Sequence, residues 1–359
     1  MSGESNKTSS KGSIRYIKAA MSYAKFIKEK YTYIIISALI VGLIIGVFTP
    51  SPGLVLRQFN TPLIIIMIGA MGFTITFKNL GEAVKDIKGF TLGMALNFLF
   101  APFLCWILAQ IFLPSYPELA TGLILIGTVP CAGMALVWAG LLKGNVPLAT
   151  VINAATMIAA PFLIPFFMTL YAGAFITINT WEIFQQLIYT ILLPVIGGVI
   201  LRELLERKFN VSQYLPLMPA ISATVAVLLM FMAINTNIKP IISNIPLITL
   251  LIASTILVFP ILFITSYTIS IKLFTNDKNI AITYSAGMKN LPIAIGIAAM
   301  SFTQLTMLPI AIGFAFQMLT AVSFYQIFRR VMLQRESEKE SPEKQFSEVG
   351  KITSGIGAA

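Results

Sequence analysis

Apolar residues run along this chain in ten blocks separated by short polar or charged breaks. The blocks fall near 31–49, 59–77, 89–113, 120–142, 147–173, 182–201, 213–236, 246–271, 280–302 and 306–328. Each is close to the roughly 20 residues that a helix needs to cross a bilayer. The pattern predicts an all-α polytopic membrane protein with ten transmembrane helices. Pro161 and Pro165 in the fifth block and Pro194 in the sixth predict kinks, because proline removes a ladder donor and crowds the preceding turn.

Two blocks are interrupted. In the ninth, Tyr284-Ser285-Ala286-Gly287-Met288-Lys289-Asn290-Leu291-Pro292 breaks the apolar run, with Gly287 and Pro292 placed to end a helix in mid-span. Lys289 sits in that break and is the only charged residue in the interior of any block. In the fourth, Pro130 precedes Cys131-Ala132-Gly133-Met134. Ten spans divide into two fives, and an odd number forces the second half to enter from the opposite side. The two Ala-Gly-Met stretches then fall in the fourth span of each half. Paired broken helices of this kind mark a transporter binding site. The expected fold is two inverted five-helix repeats with broken, crossing helices 4 and 9.

The flanks differ from the blocks. Residues 1–12 are rich in Ser, Lys and Gly and are expected to be disordered. From Ser13 to Lys30, Ile14, Ile17, Met21, Ala24 and Ile27 recur at helical spacing with Arg15, Lys18, Lys25 and Lys28 between them. This reads either as an amphipathic helix on an anionic leaflet or as a basic topogenic leader without defined structure. No secretory signal peptide is evident. The stretch 331–359 mixes Glu, Lys, Ser and Gly and is expected to be a disordered tail. The organisation is thus a leader at 1–30, a transporter domain at 31–330 and a tail.

Composition agrees: 57% of residues are hydrophobic and 11% charged, against about 25% charged in soluble domains. The net charge of +11 raises nucleic acid as a partner, but its placement argues otherwise. With a cytoplasmic N-terminus, 22 of the 25 Lys and Arg fall in inside segments, only Arg57 and Lys239 fall outside, and Lys289 lies within a span. That is the positive-inside distribution. It predicts both termini in the cytoplasm, a plasma-membrane location, the lipid bilayer as partner and no nucleic acid. All fourteen acidic residues lie in loops, at span ends or in the tail. Coupled carriers commonly place a carboxylate on the pathway, so a sodium site here needs neutral oxygens, such as unwound carbonyls near Gly287 and Asn290.

No catalytic constellation is present: no His, no Cys pair at metal-ligand spacing, no P-loop and no paired carboxylates. An enzyme is not expected, nor any cofactor beyond sodium as a coupling ion. Cys105 and Cys131 both lie in apolar blocks and suggest no disulfide framework. Lys289 is expected either to attract an anion, to occupy a cation site as a tethered ammonium, or to hold the broken helix by bridging carbonyls. Asn290 beside it can bind an ion or substrate. Asn153 and Thr156 share a helix face and read as site residues or as interhelical hydrogen bonders. Cys131 is a candidate thiol for a soft centre such as arsenic(III), or a small packed residue. Trp138 lines the pathway or packs.

Across 31–330 the chain resembles the superfamily of bile acid:sodium symporters and arsenical-resistance permeases. Met67 to Thr74 resembles the symporters' second helix, and Asn97 to Leu104 the third helix of both branches. Gly122 to Trp138, with its Cys131, is most similar to the arsenite permeases. Gly287-Met288-Lys289-Asn290 resembles the symporters' Gly-Met-Gln-Asn. The resemblance implies a panel of helices 1, 2, 6 and 7 beside a core of helices 3–5 and 8–10. Substrate and ions would bind where helices 4 and 9 cross, with alternating access by movement of core against panel. The chain departs from the symporters at Ser285, where they carry an acid, and at Lys289, where they carry Gln. Ala135 to Trp138 replaces their Ser-Asn pair, and Ala149 replaces a Ser. The arsenite permeases' helix-nine Glu is also missing, Pro292 or its neighbour standing in its place. Most side-chain sodium ligands are therefore absent, and a Lys at the Gln position implies that its charge replaces one sodium.

The leading expectation is a secondary transporter of a small organic anion with reduced sodium dependence. Lys289, Asn290, Ser285, Asn153 and Thr156 would line its site. The alternative is arsenite efflux through Cys131, and a more distant one is a non-transporting membrane sensor.

Overall fold

A computed structural model describes residues 4–76, 86–242 and 245–356. Lys78 and Lys85, two of the charges used to orient the chain, lie outside the described residues, as do the side chains of Ile14, Arg15, Ile17 and the tail beyond Val331. The regular elements among the described residues are all helices. Among the described residues, seven helices are long and apolar enough to cross a bilayer, or eight if one bent pair counts as a single span. The chain is a multi-pass membrane protein.

Helix α1 (Glu4–Phe48) is one continuous element, so the leader and first apolar block join without a break. Ala24, Ile27 and Tyr31 are buried on one side of it, while Lys25 and Lys28 remain exposed. The bent pair is α2 (Ser51–Gln58) and α3 (Asn60–Gly72), which meet at 62°. Helix α4 (Ile87–Ala95) passes through a π turn at Leu96–Phe100 into α5 (Ala101–Phe112). The fourth block is divided into α6 (Pro117–Thr128) and α7 (Met134–Leu141). Helix α8 (Val146–Tyr171) carries Pro161 and Pro165 without interruption. The sixth block comprises α9 (Thr180–Leu187), a second π turn at Ile188–Leu192, and α10 (Leu193–Glu206). Then come α11 (Leu217–Ile242) and α12 (Ile245–Leu273). The ninth block is divided into α13 (Asn276–Gly287) and α14 (Leu291–Ser301). Last is α15 (Met307–Ile356), which carries helical backbone into the stretch whose composition predicts a disordered tail.

The two π turns share a cause. Each ends two residues before a proline, Pro102 or Pro194, whose ring cannot sit in an ordinary helical turn. Pro194 therefore acts through a π turn, whereas the kinks expected from Pro161 and Pro165 do not divide α8. Helix α1 packs along α11, and α3 against α10 and α11. Separately, α5 packs on α6, α12 on α13 and α15, and α13 on α7 and α8. Glycine permits close approaches here: a Cβ on Gly198 of α10 would stand 2.4 Å from the Gly69 carbonyl of α3. Apolar side chains such as Phe48, Phe166, Trp181 and Leu193 are exposed on the outside, as a lipid environment requires.

Candidate functional site: the crossing of two broken helices

Both breaks expose backbone polar groups in an apolar interior, and each break satisfies the other. Ala132 N donates to Met288 O at 2.8 Å, and Asn290 N donates to Pro130 O at 2.8 Å. These bonds form an antiparallel bridge between Cys131 and Lys289, the only β-type pairing among the described residues. The ends of α6, α7, α13 and α14 thus converge on one point. Pro292 plays a different part from the one its position suggests. It lies in the first turn of α14, where its missing N–H is harmless, and the break itself is Met288–Asn290. Gly287 ends α13, and a Cβ there would collide with the Phe263 ring. Gly133 precedes the first residue of α7.

Lys289 is fully buried. Its Nζ donates to Asn97 O at 3.0 Å and to Asn97 Oδ1 at 3.2 Å. The π turn explains why that carbonyl is free. Ala101 N bonds back five residues to Leu96 O, and the next donor in that register would be residue 102, a proline with no N–H. Asn97 Nδ2 in turn donates to Gly93 O at 2.9 Å and to Ser285 O at 3.1 Å, which ties the π turn to α13. Lys289 N donates to Gln317 Oε1 at 2.8 Å. Among the described residues no carboxylate forms an ion pair with this ammonium.

The other predicted residues gather around the crossing. Asn153 Nδ2 donates to Cys131 O at 2.9 Å, and Thr156 Oγ1 accepts from Cys131 N at 3.3 Å while donating to Asn153 O at 2.9 Å. The thiol of Cys131 is buried and donates to Ala132 O at 3.4 Å. Ser285 Oγ is buried beside that thiol yet outside hydrogen-bond geometry. Asn290 lies at the mouth of α14 with its side chain left free of any capping bond. Trp138 stands apart from this cluster. It stacks on Tyr284 at 5.9 Å, meets Tyr325 edge-on, and leaves its buried Nε1 without an acceptor.

A small pocket of about 30 Å³ reaches the crossing and is lined by Gly133, Lys289, Asn290 and Gln317 among others. It shares Tyr31, Met134, Pro219 and Ala223 with a cavity of about 770 Å³ bounded by α1, α7, α11 and α15. Trp138, Lys25 and Lys28 line that larger space. Asn97 and Gln317 are the residues that sequence reasoning did not select. Each is an amide inside an apolar block, which is the signal that was available.

Over part of its length the chain is similar to known proteins. A family model described as the sodium bile acid symporter family matches residues 61–244, slightly more than half of the chain. A probable chloroplastic sodium/metabolite cotransporter of Arabidopsis thaliana is 28% identical over 205 residues, covering 55% of this chain and 48% of that protein. An uncharacterized sodium-dependent transporter of Bacillus subtilis is 24% identical over 199 residues, covering 55% and 61%. The arsenical-resistance protein of Alkaliphilus metalliredigens is 27% identical over 206 residues, covering 52% and 58%. The chain spans about half the length of the curated relatives it matches. On the family model, this chain belongs to the sodium bile acid symporter family.

Proposed function

We propose that this protein is a secondary transporter that moves a small organic anion by alternating access, with Lys289 occupying the place of a coupling sodium. The observation that carries this reading is the Cys131–Lys289 crossing, reached by a pocket that shares walls with a large cavity. Counting α6 with α7 and α13 with α14 as broken spans brings the eight candidates to ten. That total fits two inverted repeats of five. The packing of α1, α3, α10 and α11 supports a panel, and that of α4–α8 with α12–α15 supports a core. The placement of Lys and Arg puts both termini in the cytoplasm of a plasma-membrane protein, so the cavity beside Lys25 and Lys28 faces inward. Leader, transporter domain and tail retain the proposed limits of 1–30, 31–330 and 331–359.

The side chains at the crossing also support reduced sodium dependence. Ser285 O and Cys131 O already accept from Asn97 and Asn153, and the ammonium fills the oxygens of Asn97. An anion approaching Asn290, Gln317 and Ser285 would meet the field of this cation. The test is thermal stability of the purified protein against a panel of carboxylates and sulfonates, followed by uptake of any stabilising anion in proteoliposomes. Stabilisation should weaken in Asn290→Ala. An anion that stabilises the protein but is never taken up would favour the sensor reading.

Arsenite efflux is the second reading, favoured by a buried Cys131 at the crossing and by likeness to an arsenical-resistance protein. It predicts that Cys131→Ser abolishes arsenite resistance in a sensitive host. Unchanged resistance would remove it.

A further inference from the structure

Among the described residues the neighbours of Lys289 are neutral. Asn97 of the π turn accepts from Nζ, the Cys105 thiol of α5 and the Cys131 thiol of the opposite break lie near it, and Gln317 of α15 accepts from its backbone N–H. The phenol of Tyr31 borders the small pocket, and that of Tyr284 is tied to Ala321 O. The chain has no His, and among the described residues no Asp, Glu, Arg or second Lys pairs with the ammonium. An ammonium has three donors, and Asn97 alone accepts from this one, twice. A buried charge without a counter-ion favours losing its proton. A space for water lies beside it as well. The pocket of about 30 Å³ beside Lys289 exceeds the 10–15 Å³ that one water needs, and it shares walls with the large cavity.

We propose that Lys289 is a proton-binding site loaded and unloaded through this cavity, and that the transporter is proton-coupled at that nitrogen. The proposal rests on the transport reading above and names its coupling ion. Unloading breaks one Nζ–H bond: the electron pair stays on nitrogen, and the proton leaves on a cavity water as hydronium. Loading is the reverse. Once the amine is neutral, its bonds to Asn97 lose their charge assistance, and the hold of the ninth-span break on the π turn relaxes. Protonation is thereby linked to the packing of the crossing.

The experiment needs no substrate. Proteoliposomes on a solid-supported membrane receive a pH step in sodium-free potassium buffer, and proton binding is read as a transient displaced charge. The wild type should give a transient, and Lys289→Gln should lose at least nine-tenths of it. Lys289→Arg should lose it too, because a guanidinium keeps its proton. Asn97→Asp should raise the midpoint by about one pH unit or more, since a neighbouring carboxylate favours the charged amine. If Lys289→Gln does not reconstitute, the Arg and Asn97→Asp variants decide. A wild-type-sized transient in either Lys289 variant, or an unmoved midpoint in Asn97→Asp, would overturn the proposal. So would the absence of a transient in the wild type, and uptake of the stabilising carboxylate or sulfonate into the same proteoliposomes then separates the two claims. Uptake would leave the transport reading standing, whereas no uptake would remove it as well.

Discussion

Lys289 Nζ lies 3.0 Å from the backbone oxygen and 3.2 Å from the side-chain oxygen of Asn97. The two residues are fully buried, so each satisfies a polar group of the other. Asn97→Ala removes one acceptor from the ammonium and the donor shared by Gly93 and Ser285. The expected loss is about 3 kcal/mol, as for a buried network with a charged member. Adding Lys289→Met should restore part of it, with a coupling of about 1 kcal/mol or more. Melting curves of the four proteins check this; strict additivity would contradict the contact.

Gly287→Ala tests why the ninth span ends where it does. A Cβ there would stand 2.7 Å from Phe263 Cγ and nearer still to other ring carbons. The expected cost is about 1–3 kcal/mol, the usual range for overpacking. Phe263→Leu in the same chain should relieve most of it, read as a partial return of the melting temperature.

Much of this site is legible in the sequence because membrane interiors tolerate few exceptions. A Lys in an apolar block and two interrupted blocks in matching positions are expensive features, and the structure brings them together. Asn97 was less legible as the partner of Lys289. Its carbonyl is freed by a π register set by Pro102, and periodicity cannot register a single inserted residue. Gln317 escaped notice because a lone amide in a span reads equally well as helix–helix packing. Pro292 looked like the breaker because proline in mid-run usually is; here the three residues before it are unwound, and it opens the next helix.

Asp277 gives a pH signature outside the membrane core. Partial burial raises its carboxyl pKa, but hydrogen bonds from Thr275, Asn145 and nearby amides outweigh this and hold it below the usual carboxylate range. Asn145 also donates its backbone N–H to Asp277 O at 2.9 Å, joining the turn before α8 to the start of α13. A depressed folded pKa gives stability that is present above the ordinary value of about 3.9. It is lost as pH falls through the folded value. Asp277→Asn should flatten the acid limb of the stability profile below about pH 4; an unchanged limb would contradict the assignment.

Trp138→Phe separates packing from recognition. The ring stacked on Tyr284 is retained, and the deleted Nε1 has no acceptor to lose. Stability should change by less than about 1 kcal/mol. Because that N–H is buried, stabilisation by a transported anion should be unchanged in a thermal shift titration; a several-fold loss would place it on the ligand.

The central claim is that the Lys289 ammonium takes the place of a coupling sodium, and the direct measurement is thermal stability in sodium against potassium at equal ionic strength. Wild type should melt identically in the two salts. Lys289→Gln frees the oxygens of Asn97 and should be stabilised by sodium alone, by about 2.7 kcal/mol at a hundred times its dissociation constant. Stabilisation of the wild type by sodium, or indifference of the Gln variant, would contradict the account.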